Sequence, residues 1–102
     1  MSIRVLFMGV IANVTGQKDL LLPLESGVTL RAVLDRLEER YGPEFSLRVF
    51  RSPTPPRQLQ MHTRIFVNGS LASDETLDAP LPAAERAASE VLIYLMPAAS
   101  GG

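Results

Sequence analysis

The sequence predicts a small α+β domain, in which one main helix packs on one face of a mixed sheet of four or five strands. Three observations carry this prediction. Strongly apolar, strand-like runs stand near both ends of the chain, one amphipathic helix follows the second strand, and the chain has 102 residues. A chain of that size forms one domain with a single core. Because one helix covers only one face of a sheet, a two-layer arrangement follows.

The two ends of the chain carry the clearest strand signals. Ile3–Met8 and Val91–Met96 are apolar on most of both faces, which is typical of central strands, so we expect them to lie side by side. Asp19–Glu25 is a second strand, and Pro23 within it lacks an N–H, which places this strand at a sheet edge. Gly9–Lys18 is expected to be a turn region that joins the first two strands into a hairpin.

The helix is predicted between two glycine-containing breaks. Thr29 is positioned to cap its first turn through the side-chain hydroxyl. Apolar residues then recur at three- and four-residue steps and form one stripe, and Gly42-Pro43 ends the helix. The stripe consists of Leu30, Val33, Leu34, Leu37 and Tyr41.

Short elements and loops follow the helix. Glu44–Arg51 is expected to add a helical turn, whereas three prolines in four positions exclude regular structure from Ser52–Arg57. Arg64–Asn68 is a third strand, and its Asn-Gly end predicts a tight turn into a short return strand at Leu71-Ala72. Ala83–Ser89 is expected to form a helical turn. The domain then covers residues 1–97, with a proline-rich insertion at about residues 46–62 and a flexible tail at residues 98–102.

Composition excludes several classes of function. The formal net charge of -1 provides no basic field to hold nucleic acid or an anionic membrane. The absence of cysteine excludes thiol catalysis and a disulfide scaffold, and a zinc site would consist almost entirely of carboxylates. The apolar runs are too short to span a bilayer, and no signal-peptide cleavage pattern follows the first of them. We therefore expect a cytoplasmic protein that binds no metal.

The other polar residues that could carry chemistry have ordinary interpretations. The single histidine is expected in a loop facing solvent, and three acidic residues after the third strand indicate turns and caps. Four arginines near the prolines are expected to form a solvated surface, the alternative being a docking rim for an acidic partner. These residues are His62; Asp74, Glu75 and Asp78; and Arg48, Arg51, Arg57 and Arg64.

The remaining signal lies at the C-terminus. The chain ends in Gly101-Gly102, shortly after a predicted central strand, Pro97 and three small residues. Glycine has no Cβ and lets the backbone approach another surface closely, so this tail fits a narrow active site of a second protein. The reactive group would be the carboxylate of Gly102 itself. The alternative is an inert terminus.

In this order, these stretches resemble the MoaD/ThiS-type sulfur carriers, a ubiquitin-like family with the β-grasp fold. The resemblance covers nearly the whole chain and is greatest for the small-subunit branch of molybdopterin synthase. It depends on the order of several features rather than on one motif. These are the two-stranded start, Leu24–Leu30 leading into the helix, Ile65–Gly69, and Val91–Pro97 followed by Gly-Gly.

The resemblance implies that the chain is not an enzyme but a sulfur carrier. An E1-like enzyme would use ATP to adenylate Gly102, with Gly101 giving access, and a sulfurtransferase or cysteine desulfurase would supply sulfur for a thiocarboxylate. An acceptor such as the molybdopterin synthase large subunit would receive that sulfur in molybdenum cofactor biosynthesis. The carrier itself would bind no cofactor. The alternatives are a carrier for cysteine, thiamine or tRNA thiolation, and a ubiquitin-like protein modifier.

Two features depart from the common family pattern. Glu44–Thr63 contains the proline-rich excursion, which resembles the longer connections of some members, including carriers that serve cysteine biosynthesis. Ala88-Ser89-Glu90 replaces the Gly-Asp turn that often precedes the last strand. Both departures leave the terminal chemistry intact and bear on the pathway.

Overall fold

The computed structural model describes residues 2–25, 27–52, 54–60, 63–81 and 89–95. Within them, five strands form one sheet in the order β2-β1-β5-β3-β4, which confirms the predicted α+β class. The strands are β1 (Ser2–Gly9), β2 (Asp19–Pro23), β3 (Thr63–Val67), β4 (Ser70–Leu71) and β5 (Ser89–Leu95). The helices are α1 (Val10–Thr15), α2 (Leu30–Tyr41) and α3 (Pro43–Val49), and a 3-10 turn covers Asp74–Thr76.

The first and last strands lie next to each other at the centre of the sheet. β5 runs parallel to β1, with Val91 opposite Val5, and antiparallel to β3, with Leu95 opposite Thr63. β2 pairs with β1 in the antiparallel sense and forms one edge of the sheet. Pro23 has no N–H to donate, and an edge strand tolerates this because its outer side has no partner strand. The predicted adjacency of the two apolar strands and the predicted edge position are both confirmed.

Helix α2 supplies most of the apolar layer that covers one face of the sheet. The Thr29 hydroxyl accepts a hydrogen bond from the Ala32 N–H at 3.1 Å, so the predicted cap is confirmed. At the other end, the half-buried Tyr41 ring meets the Phe7 ring edge-on, with 5.7 Å between centroids. Alternate residues of the strands and one stripe of α2 form the core: Ile3, Val5, Phe7, Ile65 and Val91 with Leu30, Val33, Leu34 and Leu37.

The connection between β1 and β2 differs from the sequence expectation. A turn is predicted at Gly9–Lys18, but α1 occupies Val10–Thr15. Ile11 is fully buried against the core, and this burial stabilises a helix too short to be stable on its own. Gly9, at φ 66° and ψ −142°, begins the helix in a backbone region that only glycine enters readily.

Most of the remaining described elements agree closely with the sequence, whereas residues 83–88 of the helical turn expected at Ala83–Ser89 lie outside the described residues. The helical turn expected at Glu44–Arg51 is α3, whose Phe45 and Val49 are buried. Asn68 and Gly69 both have positive φ, as the predicted tight turn requires, and the return strand is Ser70–Leu71 rather than Leu71-Ala72. In the described ranges, no helix is long and apolar enough to cross a membrane.

Candidate functional site

Gly101 and Gly102 lie outside the described residues, as do the five residues before them. The structure does describe the position from which this segment leaves the domain. Leu95, the last residue of β5, lies between Gly9 of β1 and Thr63 of β3. The C-terminal segment therefore begins at the middle of the sheet, at the end defined by these three residues, which we call the tail-exit end.

On the β1 side, the tail-exit end is bordered by exposed apolar side chains. Met8 and Val10 are 46% and 41% exposed, although both belong to types that are usually buried. They flank Gly9, whose glycine-only backbone turns the chain from β1 into α1. α1 thus stands directly beside the start of the C-terminal segment.

On the β3 side, the tail-exit end is bordered by α3. The Thr63 hydroxyl donates a hydrogen bond of 2.8 Å to the carbonyl oxygen of Arg48, near the end of this helix. The Arg48 and Arg51 side chains are exposed, and Leu47 is 56% exposed. Arg64, on the strand itself, is partly buried. The structure therefore places Arg48 and Arg64 beside the exit, and Arg51 follows Arg48 by three residues.

The fourth arginine has a different role. Arg57 is expected on a solvated surface, and this expectation is wrong: its side chain is 15% exposed and forms a bidentate ion pair with Glu38. The two nitrogen–oxygen distances are 3.0 and 2.7 Å. Its guanidinium also lies over the Phe50 ring, 4.4 Å from the centroid. Burial against Phe50 and a carboxylate on α2 therefore fix Arg57 as a structural residue.

This ion pair changes the acid–base properties of both partners. The hydrogen bonds that Arg57 donates hold the pKa of the Glu38 carboxyl below its usual range, with a smaller contribution from Ser46. The same pairing raises the pKa of Arg57. Both groups therefore stay charged across the neutral range, and neither is suited to proton transfer there.

The sequence predicts turns and caps for Asp74, Glu75 and Asp78, and all three lie in the 3-10 turn or in the turn that follows it. An Asp74 carboxylate oxygen accepts the Leu59 N–H at 2.7 Å, and Asp78 pairs with Arg31 at 2.7 Å. Within the described ranges, no group of three or more histidine, aspartate or glutamate side chains is arranged to hold a metal ion. His62 lies outside those ranges.

An apolar groove lies at the opposite end of the sheet from the tail exit. It has a volume of about 400 Å³ and is bounded by Leu30, Leu71 and Leu81 together with Val67. Val67 pairs with Val91, near the start of β5 rather than its end. The groove is therefore not part of the tail-exit end.

No family model matches the chain, and no curated protein sequence matches it significantly. Solved structures do resemble it. SAMP1 from Haloferax volcanii superposes with a TM-score of 0.72 at 24% identity, covering 100% of both chains. A protein described as molybdopterin converting factor subunit 1, from Pyrococcus furiosus, gives 0.67 at 17% identity and covers 95% of this chain and 99% of its own. One chain of the BexX/CysO complex from Amycolatopsis orientalis gives a TM-score of 0.63 at 16% identity and covers 96% of this chain and 99% of its own.

These likenesses define the class of the domain. The chain has the ubiquitin-like β-grasp fold, with a mixed sheet and one main helix packed on one face. The resemblance to the MoaD/ThiS type that the sequence predicts is confirmed at the level of this fold.

The sequence predicts a reactive C-terminus but not the surroundings of the tail-exit end. The apolar border at Met8 and Val10 was missed because Gly9–Lys18 reads locally as a turn. One signal was present: Val10, Ile11 and Val14 have the three- and four-residue spacing of a short helix, with a glycine at each end. The contact between α3 and β3 depends on Thr63 and Arg48, which are 15 residues apart.

Proposed function

We propose that this chain is a sulfur carrier that holds sulfur as a thiocarboxylate at Gly102. The observation that supports the proposal is the placement of a Gly-Gly terminus directly beyond the central strand of a β-grasp sheet. Seven residues follow Leu95, and seven extended residues span at most about 25 Å. That length allows the terminal carboxylate to enter an active site of another protein while the folded domain remains outside.

The chemistry begins with activation of a poor electrophile. A carboxylate oxygen of Gly102 attacks the α-phosphorus of ATP on an E1-like enzyme, and pyrophosphate leaves. Hydrosulfide then attacks the carbonyl carbon, and AMP leaves. When a sulfurtransferase or cysteine desulfurase supplies the sulfur as a persulfide, the terminal persulfide sulfur attacks instead, and a second thiol cleaves the resulting acyl disulfide to give the thiocarboxylate and a disulfide. The product is a thiocarboxylate at the C-terminus. No electron transfer is needed when the donor is hydrosulfide.

In this cycle the chain is a substrate and carrier rather than an enzyme. It contains no cysteine, so the sulfur is carried on the main-chain terminus. ATP is bound by the activating enzyme, and the carrier needs no cofactor of its own. We place the protein in the cytoplasm, where ATP is available and sulfur donors are kept reduced.

For the acceptor, we propose the large subunit of molybdopterin synthase. This choice is supported by the sequence resemblance and by the likeness to the Pyrococcus protein described as a molybdopterin converting factor subunit. The BexX/CysO complex shows that a neighbour with this fold assembles with a second protein. A second candidate is a protein modifier, in which Gly102 is joined to a lysine of another protein. The likeness to SAMP1, the small archaeal modifier protein 1, favours this candidate.

The test is the intact mass of the chain after incubation with ATP, an E1-like enzyme from the same organism and sulfide. We expect one carboxylate oxygen to be replaced by sulfur, and no change in a variant that lacks Gly102. An unchanged mass, with the enzyme active on another carrier, would contradict the proposal. Lysine-linked conjugates in a cell extract, formed by the full chain and not by the shortened one, would instead establish the modifier function.

A further inference from the structure

We propose that α3, together with Arg51 just after it, provides a docking surface for a partner enzyme. The entrance to the active site of that enzyme would be lined by acidic side chains. This surface, which we call the α3 surface, consists of Leu47, Arg48 and Arg51. The inference rests on the proposed function, because the partner is the enzyme that reacts with Gly102. It adds the chemistry by which that enzyme recognises the folded domain.

The end of α3 lies close to the tail-exit end. The Arg48 carbonyl accepts the Thr63 hydroxyl at 2.8 Å, and Thr63 pairs with Leu95, after which the C-terminal segment begins. The end of α3 is therefore one strand away from the tail exit. Because the segment reaches at most about 25 Å, an enzyme that holds Gly102 must come close to this end of the domain.

The α3 surface also carries positive charge. Arg48 and Arg51 are exposed, and neither forms an ion pair with any residue that the structure describes. The only hydrogen bond that the Arg48 guanidinium makes there is to the Glu44 carbonyl oxygen, at 3.3 Å. By contrast, Arg31 and Arg57 are both paired with carboxylates. The α3 surface is thus a local positive site on a chain of net charge -1.

Uncompensated guanidinium groups select carboxylates. Each presents several N–H donors in a planar fork that matches two carboxylate oxygens. A partner entrance lined by aspartate or glutamate would therefore be attracted to this side of the domain before contact, and held there after contact. Two exposed arginines are too few for stable binding to nucleic acid, which depends on many phosphate contacts.

An exposed apolar side chain lies beside these charges. Leu47 is 56% exposed and directly precedes Arg48 in α3. A stable interface commonly combines a buried apolar contact with a charged rim. Met8 and Val10, exposed on the other side of the exit, extend the apolar contact around the start of the C-terminal segment. A partner that closes around the exit therefore gains both kinds of contact.

The test compares two charge reversals of equal size. Arg48→Glu/Arg51→Glu changes the α3 surface, whereas Arg36→Glu/Arg40→Glu changes two exposed arginines beside Leu22 and Pro23, near the start of β1. Binding to the E1-like enzyme and the rate of adenylation are measured at about 0.05 M and about 0.5 M salt, which screens surface charges strongly. We expect at least tenfold weaker binding for the first variant at low salt, a smaller loss at high salt, and less than a twofold change for the second.

A third variant, Leu47→Ala, tests the apolar contact without changing charge. We expect weaker binding, by about threefold, with an unaltered salt dependence. If both charge reversals weaken binding equally, or neither does, the proposed docking role of the α3 surface is contradicted, while the sulfur-carrier proposal stands. If the wild-type chain is not adenylated by an enzyme that is active on its own carrier, the proposed function fails and this inference fails with it. Circular dichroism establishes that each variant is folded.

Discussion

Two regions of this domain keep their shape by different forces. The sheet and α2 are held by backbone ladders and by apolar side chains that are completely buried, such as Val5, Leu34 and Ile65. In the excursion at residues 50–60, the described residues combine apolar and polar contacts: Phe50 and Leu59 form a β-bridge and are buried, and Arg57 forms an ion pair with Glu38 of α2. The comparison shows that apolar burial defines the sheet and α2, whereas the excursion also depends on the polar contacts of one arginine.

The polar contacts of the excursion extend into a network. Arg31, in the first turn of α2, binds Asp78 with its Nε at 2.7 Å and the Arg57 carbonyl with its Nη1 at 3.1 Å. Asp74 binds the Leu59 N–H. The excursion is therefore tied both to α2 and to the turn at residues 74–78. Contacts of this kind depend on one another, so the loss of one weakens the rest.

The largest expected effect would come from the apolar region. Leu34→Ala leaves a cavity in the core, since Leu34 is fully buried, and should lower the free energy of unfolding by about 3 kcal/mol. Urea denaturation measures this loss. The control is Leu21→Ala, at a leucine that is 60% exposed, for which we expect less than about 0.5 kcal/mol. Equal losses in the two variants would contradict the assignment of the core to one face of the sheet.

A smaller effect is expected from the excursion. Arg57→Ala removes a bidentate ion pair and leaves the Glu38 carboxylate without its donor, which should cost about 2 kcal/mol. Hydrogen exchange should localise the effect, because the Arg51 and Gln60 amides donate across the base of the excursion. We expect these amides to lose protection before those of β1. Arg51→Ala, at an exposed arginine, is the control, and equal loss of protection in β1 would show that the two regions are not separate.

The smallest effect is a pH dependence that sharpens the same comparison. The folded-state pKa of Glu38 is lowered by hydrogen bonds from Arg57, so its carboxylate stabilises the fold at pH values above the unfolded pKa of about 4.3. This contribution is lost as the pH falls through the lower, folded-state pKa.

The stability difference between wild type and Glu38→Gln should therefore be largest near neutral pH and shrink in acid. Thermal unfolding across this pH range provides the measurement. Asp19→Asn is the matched control, since Asp19 pairs with Arg4 while both side chains are more than half exposed. A difference that stays constant with pH for Glu38→Gln would exclude the proposed origin of its stabilising effect.

The sequence predicts those parts of the molecule whose signals are local or periodic. The stripe of α2, the Thr29 cap and the Asn68-Gly69 turn are each contained in a few consecutive residues. Arg57 could not be assigned in this way, because its carboxylate partners lie 19 and 22 residues earlier in the chain. Helix α1 was missed since the burial of Ile11 is a tertiary effect.

The same distinction between local signals and tertiary contacts applies to the candidate site. The proposed reactivity of Gly102 comes from the residue types at the C-terminus and stays a prediction, whereas the central position of the last strand, predicted from its composition, is confirmed. The arrangement around the exit could not be predicted. It depends on a hydrogen bond between Thr63 and Arg48 and on the glycine-only backbone of Gly9.

Under the proposed function, the position of β5 between β1 and β3 links folding to sulfur delivery. The sheet cannot close until the last strand is inserted, and before that step both neighbouring strands have open edges. Since β1 and β5 lie at opposite ends of the sequence, their pairing joins residues far apart in the chain and comes at a high cost in entropy. Under the proposed function, an enzyme that docks beside the exit therefore meets a carrier only after its fold is finished. A chain whose sheet is incomplete would therefore not be activated.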